Sequence, residues 1–146
     1  MIKNYTSGVP VGRTISKIEE ILVKGGADNI VKDYKDGVPH AICFVLNDPA
    51  TKNRIAIRLP AEIEGVYRKL SSEVKRPRPG TIMRLKEQAA RTAWKLIQDW
   101  VEVTMSRIQL DQSEYLQEFL SYIWDGKRTF FASLKDGGFK MLTDGK

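Results

Sequence analysis

Hydrophobic residues recur every three or four positions over one long stretch, Thr81–Leu110, which contains no proline and no glycine. Two apolar stripes run along it, and together they are wider than the single buried face of an ordinary surface helix. The first stripe contains Ile82, Leu85, Ala89, Ala93, Leu96, Trp100 and Val103. The second contains Met83, Ala90, Trp94, Ile97, Val101, Met105 and Ile108. The pattern predicts a long helix that is covered on two sides.

A helix and three strands are predicted before the long helix, after an extended lead-in of twelve residues. The helix begins at Thr14 and ends at Gly25-Gly26, because glycine readily takes the left-handed conformation that terminates helices. The strands are Ile30–Tyr34, His40–Leu46 and Arg54–Leu59. Asp36-Gly37 predicts a tight hairpin turn between the first two strands. The second strand is apolar on both faces, which predicts a central position in an antiparallel meander.

The remaining segments predict helices and one basic linker. Ser71–Gly80 contains two prolines, which favour an extended connection between the sheet half and the helical half. The other predicted helices are Ala61–Leu70, Asp111 through Ile123, and Thr129–Lys135, with Phe139–Leu142 as a strand or docked tail. The predicted fold is a single α+β domain over residues 1–146. In it, an N-terminal helix and a three-stranded antiparallel meander pack against a C-terminal helical half with one long central helix.

The length of the central helix raises the question of what covers it. At roughly 1.5 Å per residue a continuous helix would extend about 45 Å, whereas a compact chain of this length has a radius of gyration of roughly 15 Å. Either the helix breaks, or part of its second stripe packs on another subunit. We therefore expect a homo-oligomer.

Composition favours a cytoplasmic location without a membrane partner. The 146 residues are 42% hydrophobic and 29% charged, which is ordinary for a globular protein. No apolar run approaches the roughly 20 residues that a membrane span needs, and the N-terminus does not resemble a signal peptide. A single cysteine, Cys43, rules out an internal disulfide bond.

The net charge of +6 is concentrated in one segment. Between Arg68 and Lys95 there are nine cations and two anions, a net charge of +7, so the rest of the chain sums to −1. Such a local surplus points to a partner of opposite charge rather than to a fold.

The strongest candidate site combines a basic arm with the start of the long helix. The arm is Lys75-Arg76-Pro77-Arg78-Pro79, and a helix N-terminus favours phosphate through its unpaired N–H groups and its dipole. The predicted anion- or phosphate-binding residues are Arg76, Arg78, Arg84, Arg91 and Lys95. The alternative interpretation is a solvated basic face beside a flexible linker.

A second candidate site combines aromatic rings with cations near a chain reversal. Its predicted stacking residues are Trp124, Lys127, Arg128 and Phe130, since rings interleaved with cations can hold a nucleobase and a phosphate. A hydrophobic staple between two helices would use the same residues. Trp94 and Trp100 lie on the apolar stripes and are expected in the core.

The residues offer no catalytic or metal-binding signature. His40 is the only histidine, and no serine, cysteine or aspartate stands at a spacing that predicts a triad. Metal-ligand clusters and glycine-rich phosphate loops are absent from the sequence. We therefore expect no enzyme activity, no cofactor and no metal.

Three runs resemble a family of small proteins encoded by bacteriophages and prophages. They are RLPAEIEGVYRKL, RPRPGTIMRLKEQAARTAWKLIQDWVE and YIWDGKRTFFASLK. The family has no established function, so the resemblance implies only a setting, in a bacterial host during infection or lysogeny. We expect a non-catalytic accessory protein that binds an anionic partner, acting in counter-defence by sequestering a nucleotide signal or blocking a host defence protein. One alternative is a nucleic-acid-binding accessory in phage replication or recombination. Another is a protein–protein adaptor that uses the apolar long helix.

Overall fold

The computed structural model describes residues 3–49 and 51–143 and shows the predicted α+β architecture. Its elements, in chain order, are α1 (Val11–Lys24), β1 (Asp28–Lys35), β2 (Val38–Asn47), β3 (Arg54–Pro60), α2 (Ile63–Ser72), α3 (Pro79–Gln109), α4 (Tyr115–Phe119), a 3-10 helix (Leu120–Tyr122), α5 (Phe130–Asp136) and α6 (Lys140–Thr143).

The three strands form an antiparallel sheet in the order β1-β2-β3, so β2 is central as its apolar pattern predicts. Asp36 and Gly37 have φ angles of 52° and 78°. Positive φ at both central residues is the requirement of the type I′ turn, whose twist matches that of the flanking strands. The predicted tight hairpin turn is therefore confirmed, and both of its central residues have the positive φ that the turn requires.

Helix α1 begins at Val11, three residues before the predicted start at Thr14. Its first turn forms because the Pro10 carbonyl accepts hydrogen bonds from the N–H groups of Arg13 and Thr14, at 3.1 and 3.2 Å. The predicted apolar face is buried: Ile15, Ile18 and Leu22. The helix ends at Lys24 with Gly25 as its C-cap, and Gly26 takes a φ of 97°, which other residues adopt only with strain.

Helix α3 is continuous and begins at Pro79, inside the segment predicted to be extended. Helix α2 also continues to Ser72, so the predicted linker over 71–80 is wrong in extent, and residues 73–78 alone connect the two helices. Pro79 starts the helix readily because its fixed φ suits the first turn and its missing N–H would have no helical partner there.

The second apolar stripe of α3 is covered within the chain, against our expectation. Buried positions on it are Ala90, Trp94, Val101, Met105 and Ile108. They join one hydrophobic cluster with residues of α1, β2, β3, α2 and α4, because elements from both halves of the chain pack around α3. The Trp94 indole donates a hydrogen bond to the Pro39 carbonyl at 2.9 Å, which ties the helix to the start of β2. Met83 is 65% exposed, and the argument for an oligomer from an uncovered stripe therefore no longer holds.

The chain after α3 is less helical than predicted. Helix α4 stops at Phe119, and Ile123 forms an isolated antiparallel bridge to Ile57 of β3. The N–H of Trp124 then donates to the Ala56 carbonyl at 2.8 Å. The edge of β3 offers backbone partners that a continued helix could not use, so the segment leaves the helix to pair with it. The tail forms α6 rather than a strand.

The outer face of β3 is less positive than its sequence indicates. Arg54 pairs with Asp28 at 3.1 Å, and Arg58 pairs with Asp33 of β1. Burial alone would lower the pKa of Arg58, but hydrogen bonding to Asp33 and Cys43 outweighs it and raises the pKa. The charges of these two arginines are therefore paired with acids of β1.

Candidate functional site

Exposed cations are concentrated at one end of the α2–α3 hairpin. Tyr67 of α2 faces Lys86 of α3, with Lys86 Nζ 5.8 Å from the ring centroid, so the two helices pack against each other. We call the connecting end, residues 68–84, the basic tip. Its cations are all exposed: Arg68, Lys69, Lys75, Arg76, Arg78 and Arg84. Glu73 is the one acid in that segment, so the tip carries a net charge of +5.

The N-terminus of α3 opens into the basic tip. Arg78 is extended at the N-cap position, and within the described chain no side chain caps the helix. The first helical hydrogen bond is donated by the N–H of Ile82 to the Arg78 carbonyl at 2.9 Å. The N–H groups of Gly80 and Thr81 therefore have no helical acceptor. These groups and the helix dipole add to the positive potential that the arginines create.

Ion pairs in the described residues lie outside the basic segment. Eight are formed, and their cations are Lys3, Lys17, Lys24, Lys32, Arg54, Arg58, Arg107 and Arg128. None of the nine cations between Arg68 and Lys95 takes part in any of these pairs. Outside the basic segment, eight of the fourteen described cations are paired with an acid, whereas no cation of the basic segment is.

Arg91 lies apart from the tip and has intramolecular partners. It is seven residues beyond Arg84, about 10 Å along the helix at roughly 1.5 Å per residue. Its Nε donates to the Ser7 carbonyl at 3.2 Å, and its Nη2 donates to Gln88 Oε1 at 2.7 Å. Arg76, Arg78 and Arg84 are therefore all exposed residues of the tip, whereas Arg91 lies outside it and is held by Ser7 and Gln88. Lys95, four residues further on, is only partly exposed.

The lead-in that holds Arg91 is packed against α3. Thr92 Oγ1 donates to the Asn4 carbonyl at 2.8 Å, and Asn4 Nδ2 donates to Asp99 at the same distance. Lys3 forms an ion pair with Asp99. Burial alone would raise the pKa of Asp99, but the hydrogen bonds from Lys3 and Asn4 outweigh it and lower the pKa below its ordinary value. Part of the predicted basic stripe is thus a structural contact surface for residues 3–10.

The aromatic cluster is organised mainly by contacts within the chain. The guanidinium of Arg58 lies 5.0 Å from the ring centroid of Trp124, and Arg128 pairs with Asp136. Asp125 Oδ1 accepts from the N–H groups of Arg128 and Lys127, and these bonds lower the pKa of the Asp125 carboxyl. Phe130 is partly buried and Lys127 is exposed. Two of the four predicted stacking residues therefore already have partners within the chain: Trp124 contacts Arg58, and Arg128 pairs with Asp136.

A separate cavity is lined in part by Tyr67 and by no residue of the basic tip. It has a volume of about 810 Å³ and is bounded by the start of α1, the β1–β2 turn, α2 and α3. We call it the groove. Its charged lining residues are Lys35, Asp36, Glu64, Lys86, Glu87 and Arg91. Apolar groups from Val11, Val38, Pro39, Ile63 and Ala90 complete the wall. Neither of the two cavities described in the structure is lined by a residue of the basic tip.

This groove could not be predicted from the sequence. Its walls come from four elements, and the contact between Tyr67 and Lys86 joins residues that no short-range pattern relates. His40 also lines it. The Nδ1 atom of His40 lies 3.0 Å from the Val38 carbonyl, and its buried Nε2 has no hydrogen-bond partner among the described residues. Its position beside the hairpin turn is predictable, but this bonding pattern is not.

The described residues contain neither a membrane-spanning helix nor a cluster of metal ligands. Within the described ranges, no helix has the length and apolar character to cross a bilayer. The same ranges contain no group of three or more His, Cys, Asp or Glu side chains placed to hold a metal ion. No family model matches this sequence, and comparison with curated proteins and with solved structures gave no significant match.

Proposed function

We propose that this protein is a non-catalytic binder of an anionic macromolecule, a nucleic acid that the basic tip holds by its phosphate backbone. One observation carries the proposal: the six tip cations are clustered, exposed and in no ion pair among the described residues, whereas eight of the fourteen described cations outside the basic segment form ion pairs. A phosphate backbone supplies closely spaced negative charges that can neutralise several cations at once.

The basic tip is not part of either cavity described in the structure, which favours a nucleic acid over a small nucleotide as its ligand. Small ligands bind in concave sites that bury most of their surface, and neither cavity in the structure includes a tip residue. Arginines predominate over lysines in the tip, four to two. The planar arginine fork suits bidentate phosphate contacts. The uncapped start of α3 offers backbone N–H groups to the same phosphates.

The resemblance to phage-encoded proteins supplies the setting that we propose for this binding. A backbone contact without base recognition would suit an accessory role in replication or recombination. Counter-defence by sequestering a nucleotide signal or blocking a host defence protein stays a prediction, as does self-association. The adaptor alternative has lost its main support, because the apolar stripes of α3 are largely buried.

The proposal is tested by removing charge from the tip without disturbing the fold. The triple variant Arg76→Gln, Arg78→Gln and Arg84→Gln changes three exposed side chains that have no described ion pair. Binding to short duplex DNA should weaken by at least roughly tenfold at low salt. The slope of log K against log salt should fall by roughly 2–3, at about 0.9 for each lost phosphate contact. Fluorescence anisotropy over a salt series measures both quantities.

A matched control separates the site from the overall charge. The triple variant Arg13→Gln, Lys52→Gln and Lys140→Gln removes three exposed cations outside the tip, which also have no described ion pair. It should leave both the affinity and the salt slope nearly unchanged. Equal weakening in the two variants would mean that only net charge matters. Absence of binding to single-stranded and duplex DNA and RNA would refute a nucleic-acid partner, and tighter binding to an acidic peptide would favour a protein partner instead.

A further inference from the structure

The lead-in, residues 3–10, is held on α3 by polar contacts. None of its residues is buried, and none is among the hydrophobic residues that form the core or pack against it. Its contacts are the hydrogen bonds that its Ser7 and Asn4 carbonyls accept, and those of Lys3 and Asn4 with Asp99. Because such bonds replace bonds to water, their net contribution to stability is small. The lead-in can therefore leave α3 while the rest of the fold stays intact.

Two donors of α3 converge on a single oxygen of the lead-in. The Ser7 carbonyl accepts from Arg91 Nε at 3.2 Å and from Gln88 Nε2 at 3.1 Å. Gln88 Oε1 also accepts from Arg91 Nη2 at 2.7 Å, which fixes the two side chains relative to each other. Arginine and glutamine side chains are common donors to phosphate oxygens, and an arginine bonds a charged oxygen about twice as strongly as a neutral one. A phosphate oxygen would therefore fill the position of the Ser7 carbonyl more favourably than the carbonyl does.

This donor pair lies on the face of α3 that carries Arg84 of the basic tip. Seven residues separate Arg84 from Arg91, which is nearly two helical turns, so the two arginines share a face. They are about 10 Å apart along the helix axis at roughly 1.5 Å per residue. One strand of a duplex carries a phosphate for about every 3.4 Å of its axis. A nucleic acid that extends from the tip along α3 therefore brings a phosphate to Arg91 within a few nucleotides.

We propose that the lead-in is an autoinhibitory segment, whose Ser7 carbonyl occupies a phosphate site at Arg91 and Gln88 until a nucleic acid displaces it. The inference rests on the proposed function for its ligand, and it adds Arg91 and Gln88 to the surface that the ligand contacts. A ligand that must first displace the lead-in binds with an affinity reduced by the fraction of molecules in which the lead-in is detached. The lead-in therefore lowers the affinity of the full chain for the phosphate backbone.

The first test loosens the lead-in by two substitutions in the full chain. Lys3→Ala with Asn4→Gly removes both side chains that contact Asp99, and glycine accepts the φ of 65° that Asn4 adopts. The net charge falls by one, so charge alone predicts weaker binding to duplex DNA. We expect binding that is roughly threefold or more tighter at low salt, with a slope of log K against log salt that is steeper by about 0.9, the value for one further phosphate. Lys140→Ala, the matched control, removes the same charge from an exposed lysine and should not tighten binding.

A second variant removes the lead-in outright by deletion of residues 2–9, and circular dichroism checks that its helices are retained. It should bind duplex DNA at least as tightly as the loosened variant does. If the loosened and the shortened chains both bound no more tightly than the parent, the lead-in would not inhibit binding and the proposal would be overturned.

Substitution of Arg91 in both backgrounds shows whether the lead-in competes for this side chain. Arg91→Gln should weaken binding to duplex DNA severalfold in the shortened chain, where the guanidinium is free to contact a phosphate. In the parent, where Ser7 occupies Arg91, the same change should weaken binding by less than about twofold. Arg84→Gln is the control, because it lies in the tip and should weaken binding equally in both backgrounds. An equal effect of Arg91→Gln in the two backgrounds would contradict the competition.

NMR titrations separate this inference from the proposed function. When duplex DNA is added to the labelled full chain, the amide signals of Tyr5, Thr6 and Gly8 should move to random-coil positions. Pyrophosphate, a probe that needs no nucleic acid, should shift the Arg91 Nε–H signal more in the shortened chain than in the parent. If no variant bound nucleic acid but pyrophosphate gave this difference, the proposed function would fail and the lead-in would still cover a phosphate site. If DNA bound at the tip while the lead-in signals stayed unmoved and pyrophosphate gave no difference, the proposed function would stand and this inference would be refuted.

Discussion

Replacement of Trp94 by phenylalanine tests how the long helix is fixed to the sheet. Trp94 is 0% exposed, and its indole N–H donates to the Pro39 carbonyl at 2.9 Å. Phenylalanine keeps an aromatic ring in the same place but removes the donor and about three ring atoms. The change therefore acts on one hydrogen bond and on local packing, without altering any charge.

The expected loss of unfolding free energy follows from these two contributions. The smaller ring removes buried apolar contact worth about 2 kcal/mol, at roughly 0.8 kcal/mol per carbon-sized group. Loss of a hydrogen bond in buried surroundings adds about 1–3 kcal/mol. The sum, about 3–5 kcal/mol, is a large fraction of the stability of an ordinary domain.

Trp100 provides the matched control for this measurement. It is only partly buried, its ring packs edge-on against Phe119 and Tyr122, and no hydrogen bond of its indole is described. Trp100→Phe should therefore cost about 1 kcal/mol. Urea denaturation followed by far-UV circular dichroism gives both values, because fluorescence changes when a tryptophan is removed. If the two variants lost equal stability, the bond to Pro39 would contribute nothing and the attachment of α3 to β2 would be purely apolar.

Three further predictions concern the backbone and the docked lead-in. Gly26→Ala should destabilise the protein by about 1 kcal/mol, because alanine is strained at the φ of 97° that Gly26 adopts. Gly12→Ala inside α1 should stabilise it by up to about 1 kcal/mol, since nothing lies within 4 Å of the added carbon. Urea denaturation measures the change in unfolding free energy for both variants. Asp99→Asn should cost about 1 kcal/mol at neutral pH. Because folding lowers the pKa of Asp99, that contribution is present above its ordinary pKa of 3.8 and disappears as pH falls through the lower folded value. The difference between Asp99→Asn and the parent should therefore shrink in urea titrations at acidic pH, and a constant difference would contradict the assigned role of Lys3 and Asn4.

Most of the fold could be predicted because its signals are local. The heptad-like spacing on α3, the Asp36-Gly37 turn and the Gly25-Gly26 stop each fix a conformation from a few neighbouring residues. The errors arise where a distant segment supplies the decisive partner. The chain after Phe119 has a helical pattern, yet Ile123 and Trp124 form backbone hydrogen bonds with the edge of β3 instead of continuing the helix.

The sequence predicts the positive charge of the candidate site. It does not predict which of its cations are exposed and which are held by other segments of the chain. Sequence spacing places Arg84 and Arg91 on one helix face, and that placement is correct. Only the three-dimensional structure shows that the lead-in near Ser7 occupies Arg91 and leaves Arg84 exposed. The aromatic cluster illustrates the same limit, because Arg58 reaches Trp124 from a strand that lies 66 positions away in the chain.

The unpaired tip cations also bear on how function can be separated from stability in this protein. Exposed charges contribute little to folding, typically within about 0.5 kcal/mol, and a cluster of like charges opposes the compact state slightly through repulsion. Residues such as Arg76 and Arg78 are therefore dispensable for the fold that Trp94 and its neighbours hold together. A charge surplus that the fold does not need, and that nearby acids do not neutralise, is best explained by a partner. Removal of these cations should leave stability equal or slightly higher while binding is lost, and that combination distinguishes a binding surface from a structural one.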